Sequence, residues 1–232
     1  MCQATDLCVM KWWSKQSWTV RFALLFVVWY VFWTWMVQRA EFSRPSYALL
    51  SQWMDTALEL SYSDADFEVD PEYSGTEARI KIVFTWSENH IQRAKALALE
   101  RGTKAISVPY HFIKFKPYLA FALPMILLWS LILASPYAQL WKKILDFVLL
   151  TVVLGVLLTA RIELYTLFEM SNFRMGIYEL SEGTMRTLNR VLEAWTLGVN
   201  LVVVLLLWAG WVVPRSLLWA EWRLWLNRKS KQ

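Results

Sequence analysis

The segment WTVRFALLFVVWYVFWTWMVQ, Trp18–Gln38, constrains this chain more than any other feature. Its middle is apolar on every side. A helix from a water-soluble core is apolar along one stripe and polar on the other, so this segment has no wet face to offer. It is also long enough to cross the hydrocarbon of a bilayer, which takes about 20 residues. Tryptophan crowds it, a side chain that favours the boundary between headgroup and hydrocarbon, where the ring is dry and the N–H stays wet. The chain holds 16 tryptophans in 232 residues, most of them in or beside four apolar runs. Only 19% of residues are charged, below the roughly 25% of soluble domains, and the mean hydropathy is +0.33.

The spacing of the four runs predicts a polytopic α-helical membrane protein, with four transmembrane helices and a small α+β extracytoplasmic cap. The spans are expected at 18–37, 117–135, 144–160 and 195–213. Arg21 is placed to snorkel at the start of the first span, and Pro124 should kink the second. Three segments join or flank these spans on one side: a tail (1–17) with Lys11 and Lys15, a short loop (136–143) with Lys142 and Lys143, and a tail (214–232) with Arg215, Arg223, Arg228, Lys229 and Lys231. Short positive flanks stay in the cytoplasm, so both ends are expected there. The connection 38–116 holds ten basic and eleven acidic residues, and the segment 161–194 holds four and five. Both are expected outside, in the periplasm of a bacterium, with the chain in the inner membrane. The net charge of +5 follows from this topology and needs no nucleic-acid partner. Cys2 and Cys8 read as reduced, unpaired thiols in the first tail. No small-x-small cleavage site follows the first apolar run, so it reads as an uncleaved anchor.

Within 38–116 the apolar spacing of Leu50, Trp53, Met54, Ala57 and Leu58 predicts a helix over 47–60. Ala78, Ile80, Ile82, Phe84 and Trp86 alternate with Arg79, Lys81 and Thr85, the pattern of a strand with one wet face. Phe67 to Val69 is its expected partner, through a turn at Ser74 and Gly75, with a further helix over 91–100 and a short strand over 105–109. The acidic run Asp64, Asp66, Glu68, Asp70 and Glu72 lacks the glycine and terminal glutamate of a calcium loop and reads as a solvated strand edge. A helix over 184–194 carries the stripe Met185, Leu188, Val191 and Leu192. In the last tail Leu218, Trp219, Trp222, Trp225 and Leu226 share one side, with Glu221, Arg223 and Arg228 mostly off it, as in a helix lying in the interface.

The chemistry is sparse. The two histidines, His90 and His111, lie outside the spans, and there is no HExxH, no Walker lysine loop and no GxSxG. No cofactor or metal set is legible. Asp146 is the intramembrane charge; near Lys142 and Lys143 it reads as an interfacial carboxylate or a local ion pair, and a proton-relay role is the functional alternative. Thr151, Gly155 and Thr159 form a small-residue face on the third span. Gly198, beside the deep polar Asn200, is its expected counterpart on the fourth. That face serves packing within the bundle or docking of a partner's helix. Two other readings stay open: an enzyme acting on a lipid-linked substrate through His111, Arg161, Glu163 and Glu169, or a subunit of a proton- or ion-conducting complex working through Asp146 and Asn200.

The order of segments resembles the exosortase H-associated membrane proteins. The resemblance lies in a near-N-terminal span, an outer α+β segment, and the stretch ISVPYHFIKFKPYLAFALPMILLWSLILAS leading into a proline-containing span. Two further spans follow, the last ending in VVPRSLLWAEW. It extends over most of the chain. It implies a helper for a sorting transpeptidase-like enzyme, which cuts proteins at a C-terminal membrane anchor using a cysteine and arginines at the outer face. This chain has no cysteine in or after any span, so the implied role is accessory and non-catalytic. The expected partners are membrane lipids and another integral membrane protein.

Overall fold

A computed structural model describes residues 17–74, 77–102, 106–219 and 222–223. The expectations for Cys2, Cys8, Lys11, Lys15, Gly75, Ala105, Glu221, Trp225, Leu226, Arg228, Lys229 and Lys231 fall outside the described residues. In chain order, α1 (Trp18–Gln38) and α2 (Ala40–Ser61) precede β1 (Ala65–Ser74), β2 (Glu77–Trp86), α3 (Glu88–Glu100) and β3 (Tyr110–Phe115). Then come α4 (Leu123–Ala134), α5 (Leu140–Asn172), α6 (Glu182–Ala194) and α7 (Asn200–Leu207). Wider π-helical turns lead into α4 at Tyr118–Ala122 and into α7 at Trp195–Val199. Another follows α7 at Trp208–Val212, before a 3-10 turn at Val213–Arg215. The chain divides into two compact units, one within Met1–Gln38, Leu123–Leu154 and Asn200–Gln232, the other within Arg39–Ala122 and Gly155–Val199.

The first unit is built from apolar helices. α1 buries none of its residues, and Val20, Leu24, Val27, Val28, Val31 and Trp35 line one exposed side of it. Leaving such side chains in water forgoes up to about 1.5–3 kcal/mol each. A row of them is therefore comparable to the whole stability of a domain, roughly 5–15 kcal/mol, and suits lipid rather than water. The other side of α1 meets α4 and the last apolar segment through aromatic rings, Trp33 against Trp129 at 5.1 Å and Phe22 against Trp208 at 5.4 Å. α4 is the buried helix of this unit, with Ile126, Leu128, Leu131 and Ile132 inside. The hydroxyls of Ser130 and Ser135 donate back to the carbonyls of Ile126 and Leu131, so neither is left unpaired in the core.

Two helices, α1 and α5, are long and apolar enough to cross a membrane; the other apolar segments, Tyr118–Ala134 and Asn200–Arg215, are shorter. The sequence predicts four comparable spans, and backbone chemistry accounts for the difference. Pro124 has no N–H for the i to i−4 ladder, and the helix widens into a π turn just ahead of it. The last run is divided by the π turns on either side of α7, one of which holds Gly198 at φ +84°, outside helical space. α5 departs the other way. The expected end at residue 160 carries no proline, glycine or cap, so the helix continues through Arg161 and Glu163 to Asn172. At about 1.5 Å per residue it is roughly 50 Å long, more than the roughly 30 Å of bilayer hydrocarbon.

The second unit holds an antiparallel sheet of order β1-β2-β3. Phe67 pairs with Phe84 and Val69 with Ile82; on the other edge Phe84 pairs with His111 and Ile82 with Ile113. Ile80, Ile82 and Phe84 are fully buried, as their alternation requires. On the wet face Glu72 stands opposite Arg79 and Asp70 opposite Lys81, and Lys114 Nζ lies 2.7 Å from Glu72. The acidic run is thus the solvated side of an edge strand, where Pro71 is tolerated because one of its sides makes no ladder. α2 packs on β1 through Tyr47, Ser51, Met54 and Leu58. It starts at Ala40 rather than Tyr47, because extending a formed helix is cheap compared with nucleating one. α3 starts at Glu88 rather than Ile91, because Ser87 Oγ accepts from the His90 N–H and caps it. Residues 106–109 are not a strand. Pro109 offers no N–H, and pairing begins just beyond it at Tyr110.

The segment after Gly155 completes this unit. Tyr62 Oη donates to the Glu163 carbonyl at 2.9 Å, Tyr178 Oη accepts from the Asp64 N–H at 3.0 Å, and Trp86 Nε1 donates to the Met175 carbonyl at 2.6 Å. Met170, Met175 and Ile177 are buried there. The tight turn that allows this has Arg174, Gly176 and Tyr178 all at positive φ. Gly176 sits 3.8 Å, measured from where a Cβ would be, from the Trp86 ring.

Candidate functional site

One charged group is sealed inside the first unit. Asp146, in the second turn of α5, is 1% exposed at its side chain. Its partners come from three places in the chain. Tyr137, in the loop before α5, donates from Oη to Oδ2 at 2.8 Å. Trp211, in the π turn after α7, donates from Nε1 to Oδ1 at 3.0 Å. Arg215, in the closing 3-10 turn, donates from Nη1 to the same oxygen at 2.8 Å. The Arg215 guanidinium also lies over the Trp211 ring, 4.0 Å from its centre. Burial, and then the bond to Asp146, push the Tyr137 hydroxyl far above its ordinary range, so it stays a donor.

The spacing of the last segment explains the convergence. Trp208, Trp211 and Arg215 stand three and four residues apart and fall on one helical side. Trp208 Nε1 donates to Ser135 Oγ at 3.0 Å, and the Leu217 N–H to the Pro136 carbonyl at 2.8 Å. The C-terminal segment is therefore tied to both the loop and α5. Burying a carboxylate costs several kcal/mol, and it is repaid only when a countercharge and further donors satisfy it. Here both oxygens are occupied, and the ring of Trp211 covers the ion pair. That arrangement is a clasp: three donors from three segments converge on one carboxylate and hold those segments together.

The sequence points to Lys142 and Lys143 as the neighbours of Asp146, and the structure corrects this. Lys142 is exposed, and Lys143 Nζ donates to the Leu133 carbonyl. The ion pair goes to Arg215, which the sequence reading takes only as a positive flank. The signal that finds it is the Trp208, Trp211, Arg215 spacing ahead of a polar tail.

Thr151, Gly155 and Thr159 lie four residues apart along the continuous helix α5. Thr151 is half-buried; its hydroxyl donates to the Phe147 carbonyl at 2.6 Å and accepts from Trp129 Nε1 at 2.9 Å. Thr151 and the buried Asn200 belong to the first unit, and Gly155, Thr159 and Gly198 to the second. Gly155 and Thr159 are buried. Gly198 is exposed, with open space where a Cβ would stand. In the second unit His111 is packed among aromatic rings, 3.5 Å from the centre of Phe173 and 5.4 Å from Phe84. Burial lowers its pKa, and the Glu169 charge pulls against that. Glu163 gives its backbone carbonyl to Tyr62. Among the described residues no three His, Cys, Asp or Glu side chains stand together as a metal site.

No protein-family model, curated protein or solved structure matches this chain.

Proposed function

We propose that this protein is a non-catalytic subunit of a bacterial inner-membrane complex. It crosses the bilayer four times, keeps both ends in the cytoplasm, and presents the sheet-bearing unit outside. There it binds another integral membrane protein that works in protein sorting or envelope assembly. The observation that carries the reading is the second face of α2. Tyr47, Ser51, Met54 and Leu58 face the sheet. Phe42, Leu49, Trp53 and Leu60, spaced seven, four and seven apart, lie on the opposite side and are all exposed. An amphipathic helix needs one apolar face for its own core, and α2 has two.

The stripe begins four residues after α1 ends, so a partner that covers it must itself reach the membrane. The clasp on Asp146 favours a structural role over a proton relay, since its carboxylate is already engaged by three donors. The positive flanks support the orientation, and the resemblance to exosortase H-associated proteins supports the sorting process. The test is a photo-crosslinking residue at Trp53, with Gln52 on the neighbouring polar side as control, irradiated in native membranes. A single protein adduct from position 53 and none from 52 is expected. Lipid adducts alone from position 53 would overturn the reading.

A further inference from the structure

The first unit contains a cavity of about 410 Å³, lined on one side by Trp18, Arg21, Phe22 and Leu25 and on the other by Leu133 to Ala138, Leu140 and Lys143. Its position is set by the chain. It lies at the first turns of α1 and α5, the two helices long enough to cross a membrane, and at the loop that closes α4. These are helix ends, where hydrocarbon gives way to headgroups.

The lining divides by chemistry. Phe22, Leu25 and Leu133 are apolar. Arg21 and Lys143 bring two cations, and no carboxylate among the described residues pairs with either. Among the described residues Lys143 bonds a neutral carbonyl, that of Leu133. Arg21 lies over the Trp18 ring at 4.7 Å, and its Nε is buried without a hydrogen-bond partner. A buried guanidinium N–H left unpaired is costly, and an acceptor that bears negative charge would satisfy it best. Asp146, the nearby acid, is already consumed by Arg215.

We propose that this cavity binds the headgroup of an anionic phospholipid. Arg21 and Lys143 take the phosphate, and Phe22, Leu25 and Leu133 receive the first methylenes of the chains. The geometry commits to a lipid rather than free phosphate because the apolar wall adjoins the cations at the membrane boundary. The proposal rests on α1 crossing the bilayer and on no statement about a protein partner.

Native mass spectrometry of the detergent-solubilised full chain tests it. Phosphatidylglycerol, phosphatidylcholine with the same chains, and inorganic phosphate are titrated separately. Phosphatidylglycerol is expected to bind roughly ten- to thirty-fold more tightly than phosphatidylcholine, the effect of two cations beside one negative charge. The double variant Arg21→Gln, Lys143→Gln should erase that preference, while Lys142→Gln keeps it. Equal binding of the two lipids by the unaltered protein overturns the proposal, and so does a double variant that keeps the preference. Phosphate binding as tight as phosphatidylglycerol assigns the site to a soluble anion and overturns the lipid. Alkaline extraction of native membranes separates the two readings. A chain that is extracted is not membrane-spanning, whereas one that stays but shows no lipid preference refutes the cavity alone.

Discussion

At Asp146 and Arg215 the two halves of one ion pair sit in different surroundings. The carboxylate is 1% exposed and the guanidinium side chain 44%. Removing the arginine strands a buried charge, which costs about 3–5 kcal/mol. Neutralising the acid leaves a cation that can turn to water or headgroups, and the remaining hydrogen bonds are worth about 1 kcal/mol each. Arg215→Gln is therefore expected to lower thermal stability in detergent more than Asp146→Asn, by about 2 kcal/mol or more. Equal losses would place the pair nearer solvent than the structure has it. If Asp146 instead carried protons, Asp146→Asn would abolish activity of the assembled complex without loss of protein.

His111 supplies a pH dependence with a definite sign. Its folded pKa lies below the ordinary value of 6.5, first because the rings packed on this half-buried imidazole partly desolvate it. The unfolded chain then binds the proton more readily, so the stability it contributes is complete above pH 6.5 and is lost as pH falls through the folded value. Unfolding of the second unit should therefore become easier as pH drops below about 6.5. A His111→Phe variant should flatten that segment of the profile, leaving the further loss expected at lower pH where Glu72 gives up its Lys114 partner. A variant profile that keeps the same slope near pH 6 would refute the assignment.

At the scale of elements, α2 carries both a packing face and an exposed one, and the two predict different losses. Met54 is 1% exposed against the sheet. Met54→Ala is expected to destabilise the unit by about 2–5 kcal/mol through the cavity it leaves. Trp53, 51% exposed, should change stability by less than about 0.5 kcal/mol when truncated, and recovery of the proposed partner should fall. Chemical denaturation and co-purification, measured on both variants, separate these roles. Much of the element scale is legible in sequence. The alternation of Ile80, Ile82 and Phe84 reports a buried strand face because side chains in a strand alternate strictly. Met54 and Leu58 report the packed side of α2. Trp53 does not, because periodicity places residues on a helix without saying which apolar side finds a neighbour. β3 is displaced from 105–109 because apolar content suggested pairing where Pro109 cannot supply it.

For the whole molecule, the sheet-bearing unit depends on residues far apart in the chain. Tyr62, Asp64 and Trp86 each bond to the region 163–178. Residues 39–122 hold three strands and the helices α2 and α3, a size at which the core is marginal without the side chains that 163–178 add. Residues 39–122 expressed without 155–199 are expected to show no cooperative unfolding by circular dichroism, and a sharp transition in that fragment would contradict this. Two or three strands are marginal by themselves, so the sequence leaves the cap to rest on the bilayer, on the segment 161–194 or on a partner; residues 39–122 and 155–199 form one compact unit.

By itself the sequence determined the kind of element and the apolar character of α1 and α5, the two helices long and apolar enough to cross a membrane. All-round apolar runs have no wet face, and alternation marks strands, because both are local properties of covalent spacing. Only the tertiary structure decided that Asp146 meets Arg215 rather than Lys142 or Lys143, that Thr151 is spent on Trp129, and that α2 keeps a second apolar face. Each of these depends on which segments come together. Partners 65 or 69 residues apart in the chain are chosen by the packing of whole helices, and no local period encodes that choice.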